Sequence, residues 1–156
     1  MAEEPDFTEM INAAGTEGWA KAMGLRFVRA TREEVVAELT IGPEHRQPYG
    51  IVHGGVHAGI IESVASVGAA IHAMPAGKNV VGMENHTSFL RAVRAGKLTA
   101  TGKAVFRGRR SHIWEVTVQD ESGRAAATGR VRLLLLDGDE AVAGERVDIG
   151  NGGEST

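Results

Sequence analysis

Cysteine is absent from the 156 residues, which excludes disulfides, thiolate nucleophiles and cysteine-ligated metal and is compatible with a reducing compartment. No run approaches the roughly 20 apolar residues of a membrane span, so no membrane-crossing segment is expected. The start, Met1-Ala2-Glu3-Glu4-Pro5-Asp6, is acidic where a secretory leader is basic, which argues for the cytoplasm. There is no internal repeat and no second domain. At this length one domain is expected, residues 1–137, followed by an acidic, Gly-rich tail, 138–156, expected to be disordered or loosely packed. A net charge of −3 and a pI near 6.1 argue against a general nucleic-acid binder. Acid is missing most conspicuously between Asn85 and Trp114, where no Asp or Glu occurs while Arg91, Arg94, Lys97, Lys103, Arg107, Arg109 and Arg110 all fall there. Such a run on an acidic chain implies a local anionic partner, or else a set of ordinary solvated strand and turn cations.

What is present is concentrated between His45 and Ile71. The front half, through Pro48, Gly50 and Gly54-Gly55, is punctuated as a loop. The back half repeats Val56, Ile60, Val64, Val67 and Ile71 at helical spacing, so a helix opens near Gly54-Gly55 with one apolar face. Its first amides are free donors at the positive end of the helix dipole, where an anionic oxygen is stabilised. Glu62 lies eight residues past Gly54, about 12 Å along the axis at 1.5 Å per residue, in a segment otherwise built of small and apolar residues. Ser66 shares its face. A lone carboxylate there is either solvated on an outer face or paired and used. His53 alone reads as a hydrogen-bonded structural histidine. His53 and His57 have the spacing of a metal pair, but no third ligand follows, and no metal site is expected.

The rest of the chain is mostly extended. A short helix is expected within 7–23, strands at 25–30 and 34–41, and, after the turn Met74–Lys78, four strands over 80–90, 98–106, 113–119 and 125–136. Short polar turns between these four suggest an antiparallel meander, with Trp114, Val116 and Val118 on one face and Glu115, Thr117 and Gln119 on the other.

Three blocks in order carry a family resemblance: Arg46 to Gly55 with Glu62-Ser63 and Ser66; Asn85 to Arg91; and Gly108 to Val116. Together they resemble hotdog-fold acyl-CoA thioesterases of the PaaI-like group, closest to the Arthrobacter-type 4-hydroxybenzoyl-CoA and the 1,4-dihydroxy-2-naphthoyl-CoA thioesterases. The resemblance implies an α+β hotdog fold, a curved antiparallel sheet wrapped around one long central helix. It implies hydrolysis of an acyl-CoA, with an aromatic acyl group favoured, coenzyme A being part of the substrate and no separate cofactor being needed. By position it makes Glu62 nucleophile or general base and the Gly54 N–H the donor to the thioester oxygen. Gln47 and His53 would hold the thioester end, and Ser66 the water or the carboxylate. Gly82 would pass near the acyl group, while Arg91 and the Gly108-Arg109-Arg110-Ser111 turn would bind the nucleotide.

The 12 Å between Gly54 and Glu62 adds an expectation of its own. A glutamate cannot readily reach a carbonyl bonded to an amide that far down its own helix, but an antiparallel partner helix can bring one. A homodimer with shared sites is therefore expected, and the resemblance adds a tetramer. A hydratase or dehydratase of the same fold, or a non-catalytic acyl-CoA sensor, are the rival readings; the sensor would have no need of a carboxylate at 62.

Overall fold

The computed structural model describes residues 4–147. Two short helices come first, α1 (Thr8–Ala14) and α2 (Trp19–Met23), then strands β1 (Arg26–Ala30) and β2 (Val35–Thr40), and then the long helix α3 (Gly54–Ala73). Four longer strands follow: β3 (Lys78–Phe89), β4 (Lys97–Arg107), β5 (Ser111–Gln119) and β6 (Ala125–Asp137). A small hairpin, β7 (Ala141–Val142) with β8 (Glu145–Arg146), occupies the beginning of the segment read as a loose tail; residues 148–156 of that tail lie outside the described residues.

The long strands form one antiparallel sheet in the order β1-β2-β4-β5-β6-β3. The expected meander is corrected here: β4, β5 and β6 are consecutive neighbours, but β3 pairs with β6 and β4 with β2. The sheet wraps α3, so its buried face is wider than one apolar stripe: Ile61, Ala65 and Ala69 are buried as well as Val56, Ile60, Val64 and Ile71. Two glycines let helix and sheet close in. The Trp114 ring, fully buried, occupies the space a side chain at Gly68 would need, and a Cβ at Gly102 would stand 2.6 Å from a methyl of Val64. Strand alternation follows the sequence pattern, with Val35, Ala37 and Leu39 inward on β2 and Trp114, Val116 and Val118 inward on β5.

By length and composition alone the segment Gly54–Ala76, 23 residues, passes for a membrane span, as the buried core helix of a globular fold also does. Within this fold it is the core helix.

Candidate active site

The loop before α3 is tied at both ends. Arg46 and Val52 bridge, Gln47 N–H donates to Ile51 O at 2.9 Å, and Gly50 turns the chain with φ +78, a value that favours glycine. The segment after β3 clamps it: Val52 N–H donates to Val93 O at 2.8 Å, Arg46 Nε to Arg94 O at 3.0 Å, and Arg94 Nη1 to Tyr49 O at 2.7 Å. His53 caps the helix, its Nδ1 accepting from Gly55 N–H at 2.8 Å while its carbonyl accepts from Val56 N–H at 2.9 Å. Two of the orphan amides of the first turn are thereby satisfied. Among the described residues the Gly54 N–H has no partner.

A cleft of about 370 Å³ opens beside it, lined by Gln47, Gly54, His57, Phe89 and Arg91 with apolar neighbours such as Ile51 and Leu90. The Phe89 ring lies against Gly54, where a Cβ would stand 2.8 Å from the tip of the ring, so a larger residue at 54 would have to push that exposed ring aside. The Gln47 side-chain oxygen accepts from Tyr49 N–H, which leaves its NH₂ as donor. His57 is buried at 4% exposure, and burial pushes its pKa below the ordinary value.

Glu62 does not line this cleft. It sits half-buried behind β3, where Oε2 accepts from Asn85 Nδ2 at 3.1 Å. The same NH₂ donates to Ala58 O at 3.0 Å, and Asn85 Oδ1 accepts from Thr87 Oγ1 at 2.6 Å. Oε1 lies against Gly82, so close that a Cβ at 82 would overlap it. Gly82, expected near an acyl group, thus meets Glu62 first. Ser66 lies one turn further on, also half-buried. Asn85 opens the second of the three sequence blocks, where its only signal is a polar amide within an extended segment.

The basic run divides. Lys97 pairs with Glu38 at 2.8 Å, Lys103 with Glu34 at 3.3 Å, Arg94 is bound to Tyr49 O, and Arg107 donates to Arg32 O at 3.3 Å. Those four are the solvated-scaffold alternative realised. Among the described residues Arg91, Arg109 and Arg110 have no side-chain hydrogen bond or ion pair. Arg109 and Arg110 line a second cleft of about 400 Å³ with Lys78, Asp137 and Glu140. The Lys78 ammonium, hydrogen-bonded to Asp137, holds that carboxyl below its ordinary value, with Arg109 and Arg110 adding to the effect. The Gly108–Ser111 turn closes with Gly108 N–H donating to Ser111 O at 2.9 Å. Within one chain Arg91 and this turn are not brought together: Arg91 N–H bonds Ala126 O, whereas Ser111 pairs with Leu134, eight residues along β6 and roughly 27 Å away at about 3.4 Å per residue.

One further feature borders the site. β3 is an edge strand, laddered on one side only, and Met83, Phe89 and Leu90 stand more than half exposed along it. A long edge of this kind is a template for pairing with another chain.

Comparison with known proteins agrees across sequence and structure. Residues 49–127 match the family model of the thioesterase superfamily. Rv1847 of Mycobacterium tuberculosis (strain H37Rv) is 35% identical over 139 residues, 88% of this chain and 98% of its own. Its solved structure superposes with a TM-score of 0.75 at 36% identity, covering 78% of this chain and 98% of that one. The 1,4-dihydroxy-2-naphthoyl-CoA hydrolase of Listeria monocytogenes is 31% identical over 118 residues, 76% of this chain and 95% of the relative. A mutant of thioesterase PA1618 from Pseudomonas aeruginosa has a TM-score of 0.80 at 25% identity, covering 86% of this chain and 96% of that one.

Proposed function

This chain belongs to the thioesterase superfamily and is a thioester hydrolase of hotdog fold, and from that premise we propose that it hydrolyses an aromatic acyl-CoA at a site shared between two copies of itself. The observation that carries the reading is the division of labour along α3: an uncommitted Gly54 N–H at the mouth of an apolar cleft, and a tethered carboxylate two turns away behind an open strand edge. Antiparallel pairing of two β3 edges about a two-fold axis runs the Phe89 end of one strand along the Gly82 end of the other. That carries the Gly54 cleft toward the partner subunit's Glu62 and Arg91 toward the partner subunit's Gly108–Ser111 turn. The same symmetry operation thus completes both half-sites. Two such dimers would make a tetramer.

The chemistry follows from the groups so assembled. The thioester carbonyl accepts from Gly54 N–H, with the Gln47 NH₂ and the exposed His53 ring holding the same end. As general base, Glu62 takes a proton from water, the hydroxide adds to the carbonyl carbon, and charge collects on the oxygen facing Gly54. Collapse breaks the C–S bond, and the departing CoA sulfur takes the proton back from Glu62, so that CoA leaves as the free thiol and the carboxylate is regenerated. As nucleophile, the carboxylate itself attacks, expels the thiolate and forms a mixed anhydride that water cleaves. Ser66, one turn along, would orient water or carboxylate. Phe89 and the apolar cleft wall suit a flat acyl group, and Arg91, Arg109 and Arg110 supply uncommitted guanidinium groups for coenzyme A phosphates.

A panel of aromatic and straight-chain acyl-CoAs assayed with a thiol reagent tests this. Release of free thiol fastest from aromatic thioesters is expected. Preference for medium-chain substrates would remove the aromatic assignment, and absence of thiol release with tight acyl-CoA binding would favour the sensor.

A further inference from the structure

We infer that Asn85, oriented by Thr87, is the positioning residue that aims the Glu62 carboxylate, and that a bulge in β3 exists to bring it there; this rests on the reading of Glu62 as the reacting acid. The hydrogen bonds define the amide's orientation. Its NH₂ faces two acceptors, Ala58 O at 3.0 Å and Glu62 Oε2 at 3.1 Å, and its oxygen faces the Thr87 hydroxyl at 2.6 Å. Turning the amide over would set oxygen against a carbonyl and a carboxylate, so only one orientation satisfies every neighbour. Ala58 stands four residues before Glu62 on α3, so Asn85 grips the helix backbone and the carboxylate at once.

The strand geometry is specific to this task. Gly82 pairs with Leu133 and Glu84 with Arg132, so Met83 is an extra residue in the ladder. In a regular strand positions 82 and 85 face opposite sides; the bulge puts both against the same carboxylate. Asn85 then holds Oε2, Gly82 offers no side chain against Oε1, and Oε1 is the oxygen left to meet water or the thioester carbon.

Turnover of full-length variants with the best acyl-CoA tests the assignment. Replacing Asn85 by Ala should lower kcat roughly ten- to hundredfold, the size expected for losing a hydrogen bond to a charged group, with KM little changed. Asn85→Asp, nearly isosteric, should fall below Asn85→Ala, because it sets a second carboxylate against Glu62. A packing role would rank Asp above Ala. Thr87→Ser should retain turnover and Thr87→Val, equal in size to threonine, should lose several-fold; this pair decides the matter even where an Asn85 variant fails to fold. Glu62→Gln is measured alongside. If it keeps full turnover, the reading of Glu62 fails. If it is inactive while Asn85→Asp and Thr87→Val turn over like the parent, this inference alone is overturned.

Discussion

Exchanging Glu62 for Gln removes a charge and almost no volume from a half-buried position, so the unfolding midpoint should stay put while kcat falls by roughly 10²–10⁴-fold. Unchanged turnover would reject the assignment. His53 behaves differently, because its ring Nδ1 is already bound to the Gly55 N–H. His53→Ala should therefore lower stability by about 1 kcal/mol in urea unfolding, as loss of a helix cap does, along with any loss of activity. The structural reading of that histidine is the one with an observed partner, the Gly55 amide of the first helical turn. His112 supplies a pH dependence. Burial, then the charges of His72 and Arg107, push its pKa below the ordinary 6.5, and burial does the same at His57. Below that pH the unfolded chain takes up protons that the folded chain refuses, so stability is lost as pH falls through about 6.5 toward the folded values. The thermal midpoint should drop between pH 7.5 and 5.5, and by less in His112→Gln; equal drops would show that His112 is not responsible. Asp6, Asp120 and Asp137, lowered from 3.8, titrate well below this window.

At the scale of elements, α3 and β5 were legible because their periodicities are local: 3.6 for Val56, Ile60 and Val64, and two for Trp114, Val116 and Val118. The neighbour of β3 was not. Short polar turns suggest hairpins throughout, but the segment after β3 does not fold back as one; Val93 and Arg94 bind the 46–52 loop, and the chain delivers β4 beside β2 instead. Gln47, Gly54, Glu62 and the Arg109-Arg110 turn could be named from motif order, whereas Asn85 could not be assigned a task, because the bulge at Met83 reverses strand parity and no composition announces it. Gly68 shows how tightly the elements mesh. Gly68→Leu drives a side chain into the Trp114 ring and should destabilise the fold by at least about 1–3 kcal/mol, read from the urea midpoint. An unaffected midpoint would mean that helix and sheet slide apart freely. The Gly108–Ser111 turn acts separately from this core: Arg109→Ala should raise KM for CoA thioesters severalfold and leave small non-CoA thioesters unaffected.

For the whole molecule, the proposed shared site puts the deciding arrangement between copies. A chain disabled at the Gly54 loop and a chain carrying Glu62→Gln are each inactive in the shared-site reading, yet mixing them in equal amounts after unfolding should restore about a quarter of the sites, since half the dimers are mixed and each holds one intact site. No recovery from such a mixture would confine catalysis to single chains. The bare ladder of β3 carries a kinetic consequence as well. If a solitary copy holds two halves of different sites, then at high dilution the rate depends on how often copies meet, and it should grow with the square of the protein concentration before settling into simple proportion. An assay begun too dilute would record an enzyme asleep.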